Sequence, residues 1–208
     1  MIQAVIFDCD GVMFDTVKAN TAYYNRLLTH FGQPEMTSAQ FEFIQMHTVG
    51  ESIAFLFGDD ASIQAATAYR DSLGYEPFYQ LMEIEPGLKP LLKKLQPRFK
   101  VAIATNRSDT IGRVLEVHGL KDDFELVVSA LDVPRPKPYP DPLLKVTDYF
   151  NIQPRQAIYI GDSKLDEQAA RAAGMPLVAY RNPSLAADAH IEHLMEMVAL
   201  LDARQDNI

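Results

Sequence analysis

One stretch near the start restricts the fold more than any other: Val5-Ile6-Phe7-Asp8-Cys9-Asp10-Gly11-Val12-Met13-Phe14-Asp15-Thr16. Gln3 to Phe7 is a short apolar run of β-branched and aromatic residues, which reads as a buried strand rather than a helix. Asp8 and Asp10 stand where that strand hands over to a loop. In open α/β sheets this carboxyl edge is where ligands bind. Two carboxylates one residue apart repel each other unless a cation or a shared proton neutralises them, and their oxygens suit a hard cation such as Mg²⁺. Gly11 allows a tight turn or a close backbone approach. The same residues would also serve as an Asx-turn that merely ends a strand, so the rest of the chain has to decide.

From Thr16 to about Glu85 the pattern is helix after helix with no convincing strand: Val17 to Phe31, Ser38 to Gln45, Glu51 to Phe57, Ala61 to Leu73 and Tyr75 to Met82. Pro86-Gly87 then punctuates the chain, and the character changes. Strands at Lys100–Ala104, Leu126–Ser129, Ala157–Ile160 and Leu177–Tyr180 alternate with helices at Leu88–Leu95, from an Asp109 cap to His118, at Asp141–Phe150, at Lys164–Ala173 and from about Ile191 to Leu201. Such alternation argues for a parallel sheet with helices on both faces. The first strand stands alone before the helical stretch. The expected fold is therefore α/β: a Rossmann-like parallel-sheet core (residues 1–15 and 87–208) with an inserted all-helical cap domain (16–86).

Composition narrows the partners. The 208 residues are 48% apolar, enough for a proper core, with a net charge of -9 and a pI of about 5.0. That balance argues against nucleic acid or an anionic membrane as the main partner, but one metal and one lysine can invert the charge of a pocket for an anionic small molecule. Cys9 is the only cysteine, so no intrachain disulfide can form. Ile2 to Phe7 is too short for the apolar core of a secretion signal, and no apolar run approaches the roughly 20 residues of a membrane span. A cytoplasmic protein is expected; the oligomeric state stays open.

Three further strand ends carry useful polar residues. Thr105-Asn106 offers a hydroxyl and an amide at a helix entry, an anion cradle or simply a turn and cap. Pro134-Arg135-Pro136-Lys137-Pro138-Tyr139-Pro140 is a loop stiffened by alternate prolines, able to aim the Lys137 ammonium at one point. Gly161-Asp162-Ser163, with Asp166 one helical turn on, supplies a possible further metal ligand or merely a cap. In a parallel sheet all carboxyl ends share one edge. Asp8, Asp10, Thr105, Asn106, Lys137 and Asp162 would converge there as a phosphoryl-transfer constellation. Asp8 can act as nucleophile, and Asp10 is placed to protonate the leaving oxygen and then deprotonate water.

These motifs, Asp8-Cys9-Asp10-Gly11-Val12, Thr105-Asn106, Lys137-Pro138 and Gly161-Asp162-Ser163 with Asp166, resemble in order those of the haloacid dehalogenase-like superfamily. Phe14-Asp15-Thr16, the run from Lys137 to Leu143 and the run from Gly161 to Gly174 resemble its phosphoglycolate phosphatase and β-phosphoglucomutase branch. The resemblance implies Mg²⁺ as cofactor. It implies Asp8 as nucleophile and metal ligand, and Asp10 as general acid/base that binds metal through its backbone carbonyl. Asp162 would be the other protein ligand of the metal. Thr105, Asn106 and Lys137 would bind phosphate, with Asp166, Gly11 and Ser163 supporting the site.

The departures from that branch guide the choice of reaction. Dehalogenases of the superfamily lack the second aspartate that Asp10 provides. The mutases carry a cap histidine where this chain has Asn20, and a basic residue after Gly-x-Ser where Gly50-Glu51-Ser52 is followed by no Arg. The expected activity is a Mg²⁺-dependent phosphatase of a small phosphorylated metabolite, working through an aspartyl-phosphate. The alternatives are a phosphosugar mutase on the same core or a non-catalytic phospho-acceptor or binding protein. His47, Gly50 and Glu51 are the candidate substrate-facing cap loop. Tyr23, Phe41, Phe43, Phe55, Phe57 and Tyr69 read as the core of the cap.

Overall fold

The strand that leads into Asp8 lies in the middle of the sheet. The structure, a computed structural model, describes residues 1–206. In chain order β1 (Ala4–Phe7) and the two-residue β2 (Phe14–Asp15) are followed by α1 (Val17–His30), α2 (Ser38–Met46), α3 (Val49–Phe57) and α4 (Asp60–Leu73). A 3-10 turn over Glu76–Leu81 and the two-residue β3 (Glu83–Ile84) lead into α5 (Leu88–Leu95), β4 (Lys100–Ala104), α6 (Ile111–Val117) and β5 (Leu126–Val128). Then come α7 (Asp141–Phe150), β6 (Ala157–Gly161), α8 (Lys164–Ala173), β7 (Leu177–Tyr180), β8 (Ala189–Ile191) and α9 (Glu196–Asp206).

Two compact units result. One contains residues 1–14 and the chain from 84 onward; the other contains 15–83. The expected changeovers followed residues 15 and 86. The chain instead crosses through β2 and β3, which pair in a small two-stranded sheet ahead of Pro86-Gly87. Residues 207 and 208 of the expected core lie outside the described residues.

The core unit is a six-stranded parallel sheet in the order β5-β4-β1-β6-β7-β8. The chain builds leftward from β1 to β4 and β5, then returns to the other side of β1 for β6. That reversal puts a topological switch point between β1 and β6, where a crevice opens at the carboxyl ends. All four residues of β1 are buried, as are all five of β6. Strands covered on both faces read as unbroken apolar runs, and this is why they were legible as strands. On one face Ala4, Ile6, Ala102, Ala104, Val128, Tyr159 and Leu177 pack with Leu143 and Val146 of α7 and Ala169 and Ala170 of α8. In α5, Leu88, Leu91, Leu92 and Leu95 are all buried, an i, i+3, i+4, i+7 stripe. Each such side chain contributes roughly 1.5–3 kcal/mol on burial.

Element boundaries in the core differ from the sequence reading at several points. β8 was not expected: three residues, only one of them buried, make too short a pattern to recognise. The last helix therefore starts at Glu196, not near Ile191. Helix α6 starts after Thr110 rather than Asp109, whose carboxylate accepts from the Ser108 hydroxyl instead (2.9 Å).

In the helical unit, Thr37 and Thr48 each form a reciprocal capping box, with Gln40 and Glu51, and Asp59 caps α4. Tyr23, Leu27, Leu28, Ile44, Ile53, Leu56 and Phe57 form its interior. Tyr23 and Phe57 are core residues as expected, whereas Phe55 is 47% exposed and stacks on Phe43 at 4.1 Å. Among the described residues no helix is long and apolar enough to cross a membrane.

Candidate active site

β1 delivers Asp8 to the sheet edge in a fixed pose. Its N–H donates to Ile160 O of β6 (2.9 Å), and its Oδ1 accepts from Cys9 N (2.7 Å) and Lys137 Nζ (2.8 Å). Asp8 is buried, and among the described residues its Oδ2 receives no hydrogen bond. Burial, with Asp166 and Asp10 close by, pushes its carboxyl up to about 7 although Lys137 pulls the other way.

Lys137 is the hub. Its side chain is 3% exposed, and its three N–H donors have three acceptors: Asp8 Oδ1, Asp166 Oδ1 (2.7 Å) and the Tyr159 hydroxyl (2.9 Å). Burial by itself favours the neutral amine; Asp166 and Asp8 outweigh it and hold the group charged well above the ordinary lysine value. Its backbone is pinned too. The Asn106 side chain accepts from Lys137 N and donates to Lys137 O, both at 2.9 Å. The amide expected to face phosphate is thus engaged in placing the lysine. Thr105 is buried at the end of β4, its N–H bonded to Val128 O of β5 and its hydroxyl accepting from Arg107 N (3.1 Å).

Asp166 is fully buried and saturated. Its Oδ2 accepts from Ser163 N (2.9 Å), Ser163 Oγ (2.6 Å) and Asp162 N (3.2 Å), while Oδ1 faces Lys137 and Tyr159. Burial would raise its carboxyl; Lys137 and these donors overcome that and hold it below the usual carboxylate range. Asp162 is the opposite case. Among the described residues its carboxylate receives no hydrogen bond, and burial beside Asp166 and Asp8 pushes it well above the ordinary value. It lies against Gly11, where an added Cβ would come within 2.1 Å of Asp162 Oδ2; Gly11 also has φ +80°, which a side chain would resist.

Carboxylate oxygens of Asp8, Asp162 and Asp166 all lie within 4.8 Å of one another. Only Asp166 is internally satisfied. Asp8 and Asp162 therefore leave all-oxygen, excess negative charge at the switch point, a donor set that fits a hard divalent cation.

Asp10 lies two residues along the chain from Asp8, bridged by its backbone to Phe14. Arg107 grips its carboxylate with both arms of the guanidinium (Nη2–Oδ1 2.7 Å, Nε–Oδ2 3.1 Å). Neither Arg107 nor Tyr159 was singled out in the sequence. Tyr159 carried a readable signal, a lone hydroxyl on a strand otherwise apolar and two residues before Gly161. Asn182, just past β7, was missed as well; its amide donates to Asp162 O (2.7 Å). His47, Gly50 and Glu51 belong to the helical unit. His47 Nδ1 lies 2.8 Å from Phe43 O, and Glu51 Oε2 accepts from Thr48 N and Oγ1.

A family model described as haloacid dehalogenase-like hydrolase matches residues 5–180. The chain belongs to the haloacid dehalogenase-like hydrolases. A phosphoglycolate phosphatase of Chromobacterium violaceum is 32% identical over 96% of each chain. A solved hydrolase of the superfamily's subfamily IA from Geobacter sulfurreducens is 38% identical, with a TM-score of 0.79 over 96% of each chain. The fold also matches a β-phosphoglucomutase of Clostridium difficile (TM-score 0.86, 100% of this chain and 98% of that one), at 21% identity a likeness of fold alone. This haloacid dehalogenase-like hydrolase is an enzyme, a phosphatase of the phosphoric monoester class.

Proposed function

We propose that this phosphatase hydrolyses a small phosphorylated metabolite through an aspartyl-phosphate on Asp8, with Mg²⁺ as cofactor and in the cytoplasm. The observation that carries the reading is Lys137, bonded at once to Asp8 and Asp166 beside the unsatisfied Asp162. Mg²⁺ would be held by Asp8, Asp162 and the Asp10 main-chain carbonyl, and when bound it supplies charge neutralisation to the phosphoryl oxygens.

The chain's own residues carry the steps. An Asp8 oxygen bonds to phosphorus as the ester P–O bond breaks, and Asp10 gives its proton to the leaving oxygen. Lys137 and the Thr105 hydroxyl steady the transferred group. Asp10 then takes a proton from water, whose oxygen bonds to phosphorus while the Asp8–P bond breaks and the carboxylate returns.

Water is the acceptor in this reading, rather than a second sugar hydroxyl. A mutase must withhold Asp10 from water until substrate closes its cap. Asn20, at the position of the mutase histidine, is buried and committed within the helical unit: its amide donates to Gln45 Oε1 (2.6 Å) and Thr16 Oγ1 (3.3 Å) and accepts from the Tyr75 hydroxyl (2.8 Å). Relatives named for phosphoglycolate make that compound the first substrate to try. The test is a panel of phosphorylated metabolites, phosphoglycolate and β-glucose 1-phosphate included, followed by ³¹P NMR. Free phosphate should form, and Asp8→Asn should abolish it. Glucose 6-phosphate outpacing phosphate would overturn the choice of water, and an active Asp8→Asn would overturn the covalent step.

A further inference from the structure

Arg107 is a cation at the sheet edge, bound to Asp10, that the mechanism above does not use. It follows Thr105-Asn106 in the loop between β4 and α6. Its side chain is 7% exposed and that of Asp10 16%, so the pair is largely withdrawn from water. Nε and Nη2 bind the two carboxylate oxygens side by side, and Nη1 donates to Thr110 Oγ1 (3.0 Å) at the start of α6. A guanidinium held at its third nitrogen cannot swing, and a two-point fork admits one carboxylate orientation where a point charge admits many. Two of the roughly four lone-pair sites of the carboxylate stay free, so the grip leaves room for a proton. The same loop fixes Lys137 through Asn106. One short segment thus sets both the cation beside the nucleophile and the carboxylate two residues beyond it.

We propose that Arg107 is a positioning residue, which holds the Asp10 carboxylate in the orientation that hands a proton to the leaving oxygen and takes one from water. This rests on Asp10 being the proton carrier of the proposed phosphatase cycle. The consequence differs between substrates. p-Nitrophenolate leaves without a proton, so forming the aspartyl-phosphate from p-nitrophenyl phosphate does not need Asp10, whereas releasing phosphate from Asp8 does. An alkyl phosphate needs Asp10 in both halves.

The experiment compares the wild type, Arg107→Ala, Arg107→Lys and Asp10→Asn with radiolabelled p-nitrophenyl phosphate and with glycerol phosphate, quenching in acid to trap phosphoenzyme. In Arg107→Ala we expect kcat for the aryl ester to fall about 10- to 100-fold, the scale of a misplaced catalytic group, with kcat/KM nearly unchanged and phosphoenzyme accumulating. For glycerol phosphate kcat/KM itself should fall by a similar factor. Arg107→Lys keeps the charge and loses the fork. It should show the same pattern more weakly, and it carries the test if the alanine variant does not fold. An unchanged or raised kcat would overturn the proposal, as would an equal fall of kcat/KM on both substrates with no phosphoenzyme. Phosphoenzyme in Asp10→Asn but none in Arg107→Ala or Arg107→Lys would overturn the role of Arg107 alone. Its absence from Asp10→Asn as well would remove the aspartyl-phosphate reading beneath it.

Discussion

Lys137 bears on the folded state as well as on the proposed reaction, because it bridges two buried carboxylates. Removing one partner of a buried ionic cluster costs about 3–5 kcal/mol, since the other charges stay behind uncompensated. The pH dependence follows from the shifts. The lysine value is raised, so its stabilisation is in force below about 10.4 and is lost only as pH climbs through the folded value. Asp166 is lowered, so its share is in force above about 3.9 and is lost as pH falls through its folded value. Without the lysine, protonating the carboxylates relieves the cluster. Lys137→Ala in EDTA should therefore lose more stability at pH 8 than at pH 5 in urea unfolding, and equal losses would contradict the assignment. At this scale the sequence was read best where strand ends announce themselves. Asp8, Asp162 and Lys137 each follow an apolar strand or sit in a proline-stiffened loop. Arg107 carries no such signal, because an arginine in a polar loop is ordinary until its partner, Asp10, is brought to it from 97 positions away.

At the scale of elements, α8 depends on its first turn. Ser163 Oγ accepts from Asp166 N (3.2 Å) and donates to Asp166 Oδ2 (2.6 Å), a capping box whose acidic member is also the partner of Lys137. Gly161 is required alongside, because a Cβ there would meet Asp166 Cβ at 2.5 Å. A lost serine cap typically costs about 1 kcal/mol. Ser163→Ala should cost that much or somewhat more in urea unfolding and should lower kcat, because Asp166 loses the bond that aims its other oxygen at Lys137. Ser163→Thr should restore both. A serine-to-alanine change that lowers kcat with no change in stability would mean the hydroxyl serves substrate rather than the cap. The element boundaries were legible where the helix signals are strong, as in α5 with its leucine stripe and α8 with Ser163 and Gly174 at its ends. They were missed where length is too small for a period: β8 has three residues, and the helical piece expected over Tyr75 to Met82 is a short 3-10 helix over Glu76–Leu81.

At the scale of the whole molecule, the division into a parallel-sheet core and a helical insert followed from the switch between strand–helix alternation and helix after helix. What the insert does at the substrate did not follow, because His47 and Glu51 make local bonds that any helix end could use. The core makes a sharper statement, since the cluster of Asp8, Asp162 and Asp166 carries more negative charge than Lys137 balances. Asp8 is raised to about 7, first by burial and then by Asp166 and Asp10, and Asp162 is raised well above its ordinary value by burial, Asp166 and Asp8. For a carboxyl with a raised value, the charged form opposes folding. In the metal-free chain stability is therefore lost as pH climbs from about 4 towards 7. A divalent cation bound there reverses the sign, and it needs both carboxylates ionised. At pH 5.5 the proton on Asp8 alone should weaken binding roughly 30-fold relative to pH 8. Saturation at about 100 Kd contributes about 2.7 kcal/mol, a rise of several degrees in melting temperature for a chain of this size. Mg²⁺ added to EDTA-treated protein should thus raise the melting temperature clearly at pH 8 and much less at pH 5.5, and Asp162→Asn should abolish the increment. An increment equal at the two pH values, or one that survives in Asp162→Asn, would mean that the ion binds away from Asp8 and Asp162.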